Sequence, residues 1–239
     1  MTGTNVFGDP FDEPSFVDRA TTDIRQAILS GQLRPGQAFS LRNLARQLGV
    51  SFIPVREALR GLEREGLVVI RPGRSTSVAP LSSDDLRSLC LVRRRIEPEL
   101  ATSACLLITS DDLDEHELRL ESARHKRNQA QDRYEAHREL LSALLGPAAT
   151  TWELRMLRML WHATERYLRC GLDHPDHAAT PGRTDIPGDP LGAAQVDLIC
   201  AFRGRDPREA KAAMLRHVDW AERIAGQGIT ANGLTTRTA

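Results

Sequence analysis

The apolar positions in the first third of the chain repeat at helical spacing and fall into separate segments. In VDRATTDIRQAILSG they recur every three or four residues and stop at Gly31, a residue suited to the left-handed exit of a helix. The turn QLRPGQAF follows. LRNLARQLG then repeats the helical pattern, with Ser40 placed to cap it and Gly49 to close it. The pattern predicts two helices joined by a turn.

The segment GVSFIPVREALRGLEREGLVVI predicts a third helix that runs into a strand. Ser51 is the natural N-cap, and Pro54 falls in the first turn, where its missing N–H breaks no intrahelical hydrogen bond. The predicted buried stripe repeats at i, i+3, i+4 and i+7 and consists of Val55, Ala58, Leu59 and Leu62. LVVI and TSVAP, separated by RPGRS, then predict a two-stranded hairpin with Gly73 near its tip. Three helices and this wing make a winged helix-turn-helix, whose third helix enters the major groove of DNA.

The rest of the chain shows helical periodicity throughout and predicts six helices. A loop with four prolines, LDHPDHAATPGRTDIPGDP, separates the fourth of these helices from the fifth. The predicted fold class is therefore mostly α, with a winged helix-turn-helix domain over residues 16–80 and an all-α helical bundle over residues 82–226. Residues 1–15 and 227–239 are expected to be flexible.

Composition is that of a globular protein, with 27% charged and 41% apolar residues in a chain of 239. The net charge is zero, but its distribution is uneven. Between Arg34 and Arg74 there are eight arginines and three glutamates, a local balance of +5. A basic region on a neutral protein points to a polyanion-binding surface confined to that region.

The cysteines and the N-terminus point to the cytoplasm. Cys90, Cys105, Cys170 and Cys200 show no CxxC or zinc spacing and lie among apolar residues, so we expect reduced core cysteines. The N-terminal segment resembles neither a signal peptide nor a membrane anchor. No window reaches the roughly 18 apolar residues of a spanning helix, and we expect no membrane partner.

The motifs of the first domain are specific. The turn LRPGQ, the helix LARQLGVS, the helix PVREAL and the strand entry LEREGLV resemble the DNA-binding domain of the GntR family of bacterial transcription regulators. The resemblance implies operator contacts by Arg42 on the second helix, by Ser51, Ile53 and Arg56 on the third, and by Gly73 at the wing tip. We expect the same surface to include Phe52, Arg60 and Arg74.

Phe52 departs from the family pattern, because most members have arginine directly after the serine. The change removes a donor that can read guanine through a bidentate pair, a contact that provides about 1–3 kcal/mol of discrimination. We therefore expect a shifted operator preference. Two interpretations of the apolar pair are open: Phe52 packs back on the domain core, or Phe52 and Ile53 contact thymine methyl groups.

The second domain resembles a known effector domain. VRRRIEPELATSA and RGRDPREAKAAMLRHVDWA are similar to stretches of the FadR-like C-terminal domain (FCD), in its six-helix VanR-like form. The resemblance implies a dimerisation domain whose bundle holds a small effector, often a carboxylate. In the family the effector frequently lies over a metal held by an aspartate, a histidine four residues later, and one histidine from each of the last two helices.

The expected metal ligands are only half present. His137 and His217 match two of the positions, whereas Arg133 replaces the aspartate and Gln195 replaces the other histidine. A tight site for a divalent transition metal has three or four protein ligands, so metal binding at His137 and His217 is doubtful. One alternative is an unmetallated pocket in which these four residues, with Arg93 near the family's pocket arginine, bind an acidic or polar effector. Another is a decayed pocket whose histidines are satisfied by neighbouring groups.

Together these features predict a ligand-responsive bacterial transcription regulator and not an enzyme. We expect a homodimeric repressor that is released from a palindromic, double-stranded operator by a small acidic or polar effector. One alternative is a winged-helix protein-interaction module without specific DNA binding, which the basic balance of +5 argues against. A metal-dependent hydrolase is a further alternative, but the sequence shows neither a nucleophile motif nor a complete ligand set.

Overall fold

The computed structural model describes residues 15–71, 76–125, 130–172 and 189–231. The chain divides into two compact units between Ala79 and Pro80. Parts of four predicted segments, namely the flexible N-terminus, the wing tip with Gly73 and Arg74, the proline-rich loop and the flexible C-terminal tail, lie outside the described residues. No helix among the described residues is long and apolar enough to cross a membrane.

The first unit is a winged helix-turn-helix, as predicted. Its elements in chain order are α1 (Phe16–Leu29), β1 (Ala38–Phe39), α2 (Leu41–Leu48), α3 (Phe52–Arg64), β2 (Val68–Val69) and β3 (Thr76–Val78). The sheet is antiparallel and has three strands in the order β1-β3-β2, with Ser77 of β3 opposite both Ala38 and Val69. The prediction of a two-stranded wing was therefore incomplete. β1 has two residues and no alternating pattern, so the segment that contains it reads as a turn.

The predicted stripe of α3 forms the centre of the core of the first unit. Val55, Leu59 and Leu62 are completely buried, and they pack in one cluster with Ile24 of α1 and Leu44 of α2. Burial of one such leucine side chain contributes about 1.5–3 kcal/mol. Since this packing fixes the rotation of α3 about its axis, it also fixes which side chains of α3 face outward.

The turn between α2 and α3 depends on one glycine. Gly49 has φ of +66°, the left-handed conformation in which a side chain would be strained, and its N–H bonds back to the Arg46 carbonyl at 3.3 Å. Val50 donates to the Ala45 carbonyl at 3.1 Å, which completes the helix exit. This geometry explains the tight GVS connection between the two helices.

The second unit contains the six predicted helices in its described residues. They are α4 (Ser83–Leu107), α5 (Ser110–His125), α6 (Ala130–Leu145), α7 (Thr151–Leu172), α8 (Pro190–Arg203) and α9 (Pro207–Ala231). α9 packs along α4, α7 and α8. A second cluster of buried side chains includes Leu81, directly after the unit boundary, together with Tyr167 of α7 and Val218 and Ile229 of α9.

The last helix is longer than predicted. α9 continues to Ala231, five residues beyond the expected end at residue 226, with Ile229 completely buried. The sequence GQG resembles a helix stop, but Gly228 lies against α7, where a Cβ would overlap the backbone of Cys170 and Gly171. A Cβ at Gly171 would in turn overlap the backbone of Ile224. The glycines thus allow two helices to touch and do not end one.

Three of the four cysteines are at least partly buried, as predicted. Cys90 and Cys105 are buried, Cys170 is partly buried, and none of the four cysteines forms a disulfide bond. Cys200 is exposed, contrary to the expectation of a core position, because the inner face of α8 is formed by Leu198 and Phe202.

Replacing Gly228 by alanine should lower the free energy of unfolding by about 1–3 kcal/mol, the usual cost of an extra methyl group in a packed interface. Gly226→Ala is the matched control, because its Cβ would meet no atom within 4 Å. That control should be neutral or stabilising by about 0.5–1 kcal/mol, since alanine favours the helix. Urea unfolding measures both changes. Equal stability of the two variants would contradict the close helix contact.

Candidate functional site

The outward face of α3 carries the predicted DNA-reading residues. The first turn begins with Phe52 and Ile53, which are 43% and 63% exposed. Phe52 does not belong to the core cluster of the first unit, so its exposure opposes the interpretation that it packs inward. Ser51, Arg56 and Arg60 are also exposed. The outward face therefore combines apolar and cationic groups, which lie on the N-terminal half of the helix.

The two arginines of this face are held by the same carboxylate. Arg56 Nε lies 3.5 Å from Glu57 Oε1, and Arg60 Nη1 lies 3.3 Å from the same atom. All three side chains are 40% or more exposed. Exposed ion pairs contribute between zero and about 1 kcal/mol, so both arginines can exchange Glu57 for a phosphate or a base edge at little cost.

The two acidic residues at the C-terminal end of α3 have structural partners. Arg25 of α1 donates to both carboxylate oxygens of Glu65, at 3.2 and 2.7 Å, and so ties α1 to the end of α3. Glu63 accepts the N–H of Ile70 at 3.1 Å, beside β2. The sequence does not reveal the first pair, because its members are 40 residues apart.

Ser51 and Arg42 lie at the starts of α3 and α2, and both are exposed. Ser51 is the N-cap by position, but its side chain makes no capping hydrogen bond. The expected cap interaction is therefore absent. Its hydroxyl takes no part in the hydrogen bonding of the helix.

The second candidate site is a small cavity in the second unit, lined by residues of α4, α6, α7 and α9. Its volume of about 20 Å³ is enough for one water molecule. The polar part of its lining consists of Arg93, His137, Arg138, Thr164, Glu165 and His217. We refer to this space as the inner cavity.

The two predicted histidines meet in the inner cavity. The ring centroids of His137 and His217 are 5.1 Å apart, and both side chains are buried. Nδ1 of His137 and both ring nitrogens of His217 have no hydrogen-bond partner within the described part of the chain. This argues against the alternative of a decayed pocket whose histidines are satisfied by neighbouring groups. A buried polar atom without a partner costs about 1–3 kcal/mol, so these nitrogens favour a ligand that can pair with them.

Two buried ion pairs flank the histidines. Within α4, Arg93 Nε donates to Glu97 Oε1 at 2.6 Å, and the same oxygen accepts the Trp161 Nε1–H at 2.8 Å. Between α6 and α7, Arg138 pairs with Glu165, which also accepts Arg169 Nε at 2.8 Å. Each glutamate is thus held by two donor side chains.

Burial and positive neighbours keep both histidines neutral. Desolvation, together with smaller contributions from Arg93 and Arg138, lowers the pKa of His137 to about 3. Desolvation also lowers the pKa of His217 well below its usual value, with smaller contributions from His137 and Arg93. A neutral imidazole offers one donor and one acceptor nitrogen.

Arg133 and Gln195 do not line the inner cavity. Arg133 pairs with Asp189, whose carboxylate also caps α8 by accepting the Gly192 N–H at 3.0 Å. Gln195 is buried elsewhere in the bundle. The positive charge that we expected from Arg133 is instead supplied by Arg93 and Arg138. Sequence reasoning missed Arg138, although it follows His137 directly at the edge of the same helix face.

Both units match known sequence families. Residues 16–78 match the GntR family of bacterial regulatory proteins, and residues 88–219, more than half of the chain, match the FCD domain. The chain belongs to the GntR family. It is a helix-turn-helix transcription regulator with an FCD effector domain, which confirms the predicted family and the predicted fold class.

Its relatives include other regulators of the same kind. The uncharacterised HTH-type regulator BphR of Paraburkholderia xenovorans is 28% identical over 73% of this chain and 76% of its own. The HTH-type transcriptional repressor RspR of Escherichia coli is 26% identical over 82% of both chains. Among solved structures, E. coli McbR/YncC aligns with a TM-score of 0.70 at 20% identity, over 90% of this chain and 99% of that one, which shows a shared fold.

The inner cavity of this GntR protein does not fit the metal that the resemblance implies. Among the described residues, no three histidine, cysteine, aspartate or glutamate side chains come together as a metal site would require. The two histidines that do meet are flanked by Arg93 and Arg138, whose charges oppose a bound cation. The same charges favour an anion.

The neutral histidines should make the protein sensitive to acid. Below pH 6.5 the unfolded chain binds protons that folded His137 and His217 do not, so the free energy of unfolding falls as pH falls. Each group contributes a slope of about 1.4 kcal/mol per pH unit between its unfolded and folded pKa. His217→Gln should remove one such contribution from urea unfolding at pH 6.5 and 4.5. An unchanged slope would show that His217 titrates normally.

Proposed function

We propose that the protein is a homodimeric repressor that acts in the cytoplasm and leaves a palindromic operator when a small acidic or polar effector binds. The observation that carries the DNA-binding part is the outward face of α3, where exposed apolar and arginine side chains stand beside each other. Most surface helices begin with polar residues, and this one does not. Similarity to RspR, named a repressor, supports repression over activation.

In the proposed complex α3 lies in the major groove. Arg56 reads a guanine through two hydrogen bonds, and Phe52 and Ile53 contact thymine methyl groups. Ser51, Arg42 and Arg60 contact phosphates and set the register of the helix. Gly73 and Arg74, which lie outside the described residues, are proposed to contact the backbone next to the groove.

The proposed dimer follows from the geometry of a palindrome. Two recognition helices contact half-sites about one helical turn apart, so a two-fold dimer matches a two-fold operator. An effector that binds better to a form with incorrect helix spacing lowers the population able to bind DNA. The inner cavity is the proposed effector site, with His137, His217, Arg93 and Arg138 as its binding groups.

Arg56→Ala should weaken binding to an operator selected from random DNA by roughly 5- to 150-fold, the equivalent of losing about 1–3 kcal/mol of base recognition. Arg87→Ala is the control: Arg87 lies on α4, outside both candidate sites, and is ion-paired on the surface. Competitive gel shifts measure both variants. Unchanged affinity and sequence preference for Arg56→Ala would refute the docking arrangement.

The same assay addresses the protein-interaction alternative. Because phosphate contacts release counterions, binding by the wild type should weaken steeply as salt concentration rises. A protein without salt-dependent DNA binding would instead support an interaction module.

We further propose that the effector response needs no metal. Native mass spectrometry should then show the dimer without a stoichiometric transition metal, and a chelator should leave operator binding and its release by effector unchanged. The reason is the ligand set, which has two neutral histidines beside two arginines. Stoichiometric zinc or nickel, or a response lost on chelation and restored by metal, would overturn this proposal.

A further inference from the structure

We propose that Arg138 and Glu165 form a gate to the inner cavity, and that a ligand carboxylate replaces Glu165 as the partner of Arg138 when the gate opens. The inference rests on the proposed function, because it describes how an effector would reach the proposed site. It adds an entrance and a moving side chain.

An open groove lies on the other side of this ion pair. It is lined by side chains of α5, α6 and α7, among them His116, Arg119, Arg138, Glu139, Arg158 and Trp161, and we call it the outer groove. Its volume of about 520 Å³ lies within the range of about 300–1,000 Å³ that is usual for small-molecule sites. The inner cavity alone holds about one water molecule. A larger ligand must therefore occupy both spaces.

Arg138 and Trp161 line both the outer groove and the inner cavity and so form their common wall. Trp161 is fixed, since its Nε1–H is bonded to Glu97, which is fully buried and also bound to Arg93. The Arg138 side chain is 19% exposed and borders solvent in the outer groove. The movable part of the wall is therefore the arginine.

Opening the gate does not leave Glu165 uncompensated. Arg169 is buried, donates to Glu165 from Nε at 2.8 Å, and is itself held with its guanidinium carbon 4.1 Å from the centre of the Tyr134 ring. Arg138 and Arg169 share Glu165, so Glu165 and Arg169 remain a neutral ion pair when Arg138 moves away. Without Arg169, the movement would leave a buried carboxylate without a counter-charge, which is strongly unfavourable.

The freed arginine selects for an anion. A carboxylate can take over both charge and hydrogen bonds from Glu165 as a bidentate partner, whereas an amide or alcohol of the same shape supplies no charge. The outer groove has three arginines in its lining against two glutamates, Glu135 and Glu139. Because Arg138 is paired with Glu165, the other two arginines only balance these glutamates, and the selection for an anion rests on Arg138.

In the inner cavity the ligand needs a second polar group that can pair with the two histidines. Nδ1 of His137 and both ring nitrogens of His217 lack partners within the described residues, and these neutral rings offer both donors and acceptors. The ligand class is thus a small carboxylate that also bears a hydroxyl or carbonyl group. The carboxylate binds Arg138, and the second group binds the histidine pair.

Histidine labelling tests the gate directly. Diethyl pyrocarbonate acylates neutral imidazole, so access limits its reaction with His137 and His217, and peptide mass spectrometry reports each residue. In the full-length protein, Arg138→Gln should label His217 about tenfold faster than the wild type, the factor for losing about 1.4 kcal/mol of closed-state interaction. Arg203→Gln is the control, because Arg203 also bridges acids, Asp114 and Glu117, but lies outside both spaces.

If His217 were labelled in Arg138→Gln at the wild-type rate, the gate proposal would be overturned. An equal increase of the rate in Arg203→Gln would also overturn it, because that result would indicate general loosening of the fold. If Arg138→Gln does not fold, protection of His217 by an added ligand can still be measured on the wild type. Lactate should slow the labelling of His217, whereas lactamide should not. Equal protection by both compounds, or by neither, would overturn recognition of the carboxylate.

These outcomes are separate from those for the proposed function, because labelling is measured without DNA. If the wild type failed to bind any selected operator, the repressor proposal would be refuted while the labelling result still stood. If Arg138→Gln bound operator normally and was labelled at the wild-type rate, the gate would be refuted and the repressor proposal retained.

Discussion

Helices α7 and α9 touch backbone to backbone at Gly171 and Gly228, and this contact sets how closely the two helices pack. α7 carries Thr164 and Glu165, α9 carries His217, and the inner cavity is the gap that remains between them and their neighbours. A side chain at either glycine would force the helices apart. Two residues without side chains thus hold together the helices that carry these polar groups.

Fully hydrogen-bonded side chains and polar atoms without partners lie close together at the inner cavity. Arg93, Glu97 and Trp161 form a closed hydrogen-bonded group that leaves little freedom. The histidine pair next to it has nitrogens without partners in the described residues, at a cost in stability. Such a local cost is typical of sites that must bind something, because ligand binding recovers it. Rigid and unsatisfied groups are therefore complementary parts of one site.

Periodicity made much of this structure predictable. The stripe from Val55 to Leu62 and the six helices follow from apolar spacing, which depends on local geometry. The end of α9 did not follow, because a glycine that permits close contact looks the same in sequence as one that ends a helix. The orientation of Arg133 was also unpredictable, since it depends on Asp189, 56 residues away. Pairings over such distances, including Arg138 with Glu165, need the folded bundle.

Three consecutive residues of α7 belong to different environments. Glu165 faces the inner cavity, Arg166 donates to the Tyr167 hydroxyl at 3.1 Å and contacts the Pro80 carbonyl at 3.5 Å, and Tyr167 packs in the cluster that holds Leu81. Pro80 and Leu81 are the first residues after the DNA-binding unit. The wall of the proposed effector site and the side chains that contact the first two residues of the second unit therefore lie within a single turn of helix. Under the proposed function, a ligand that moved Glu165 would act directly on the helical turn that contacts Pro80 and Leu81.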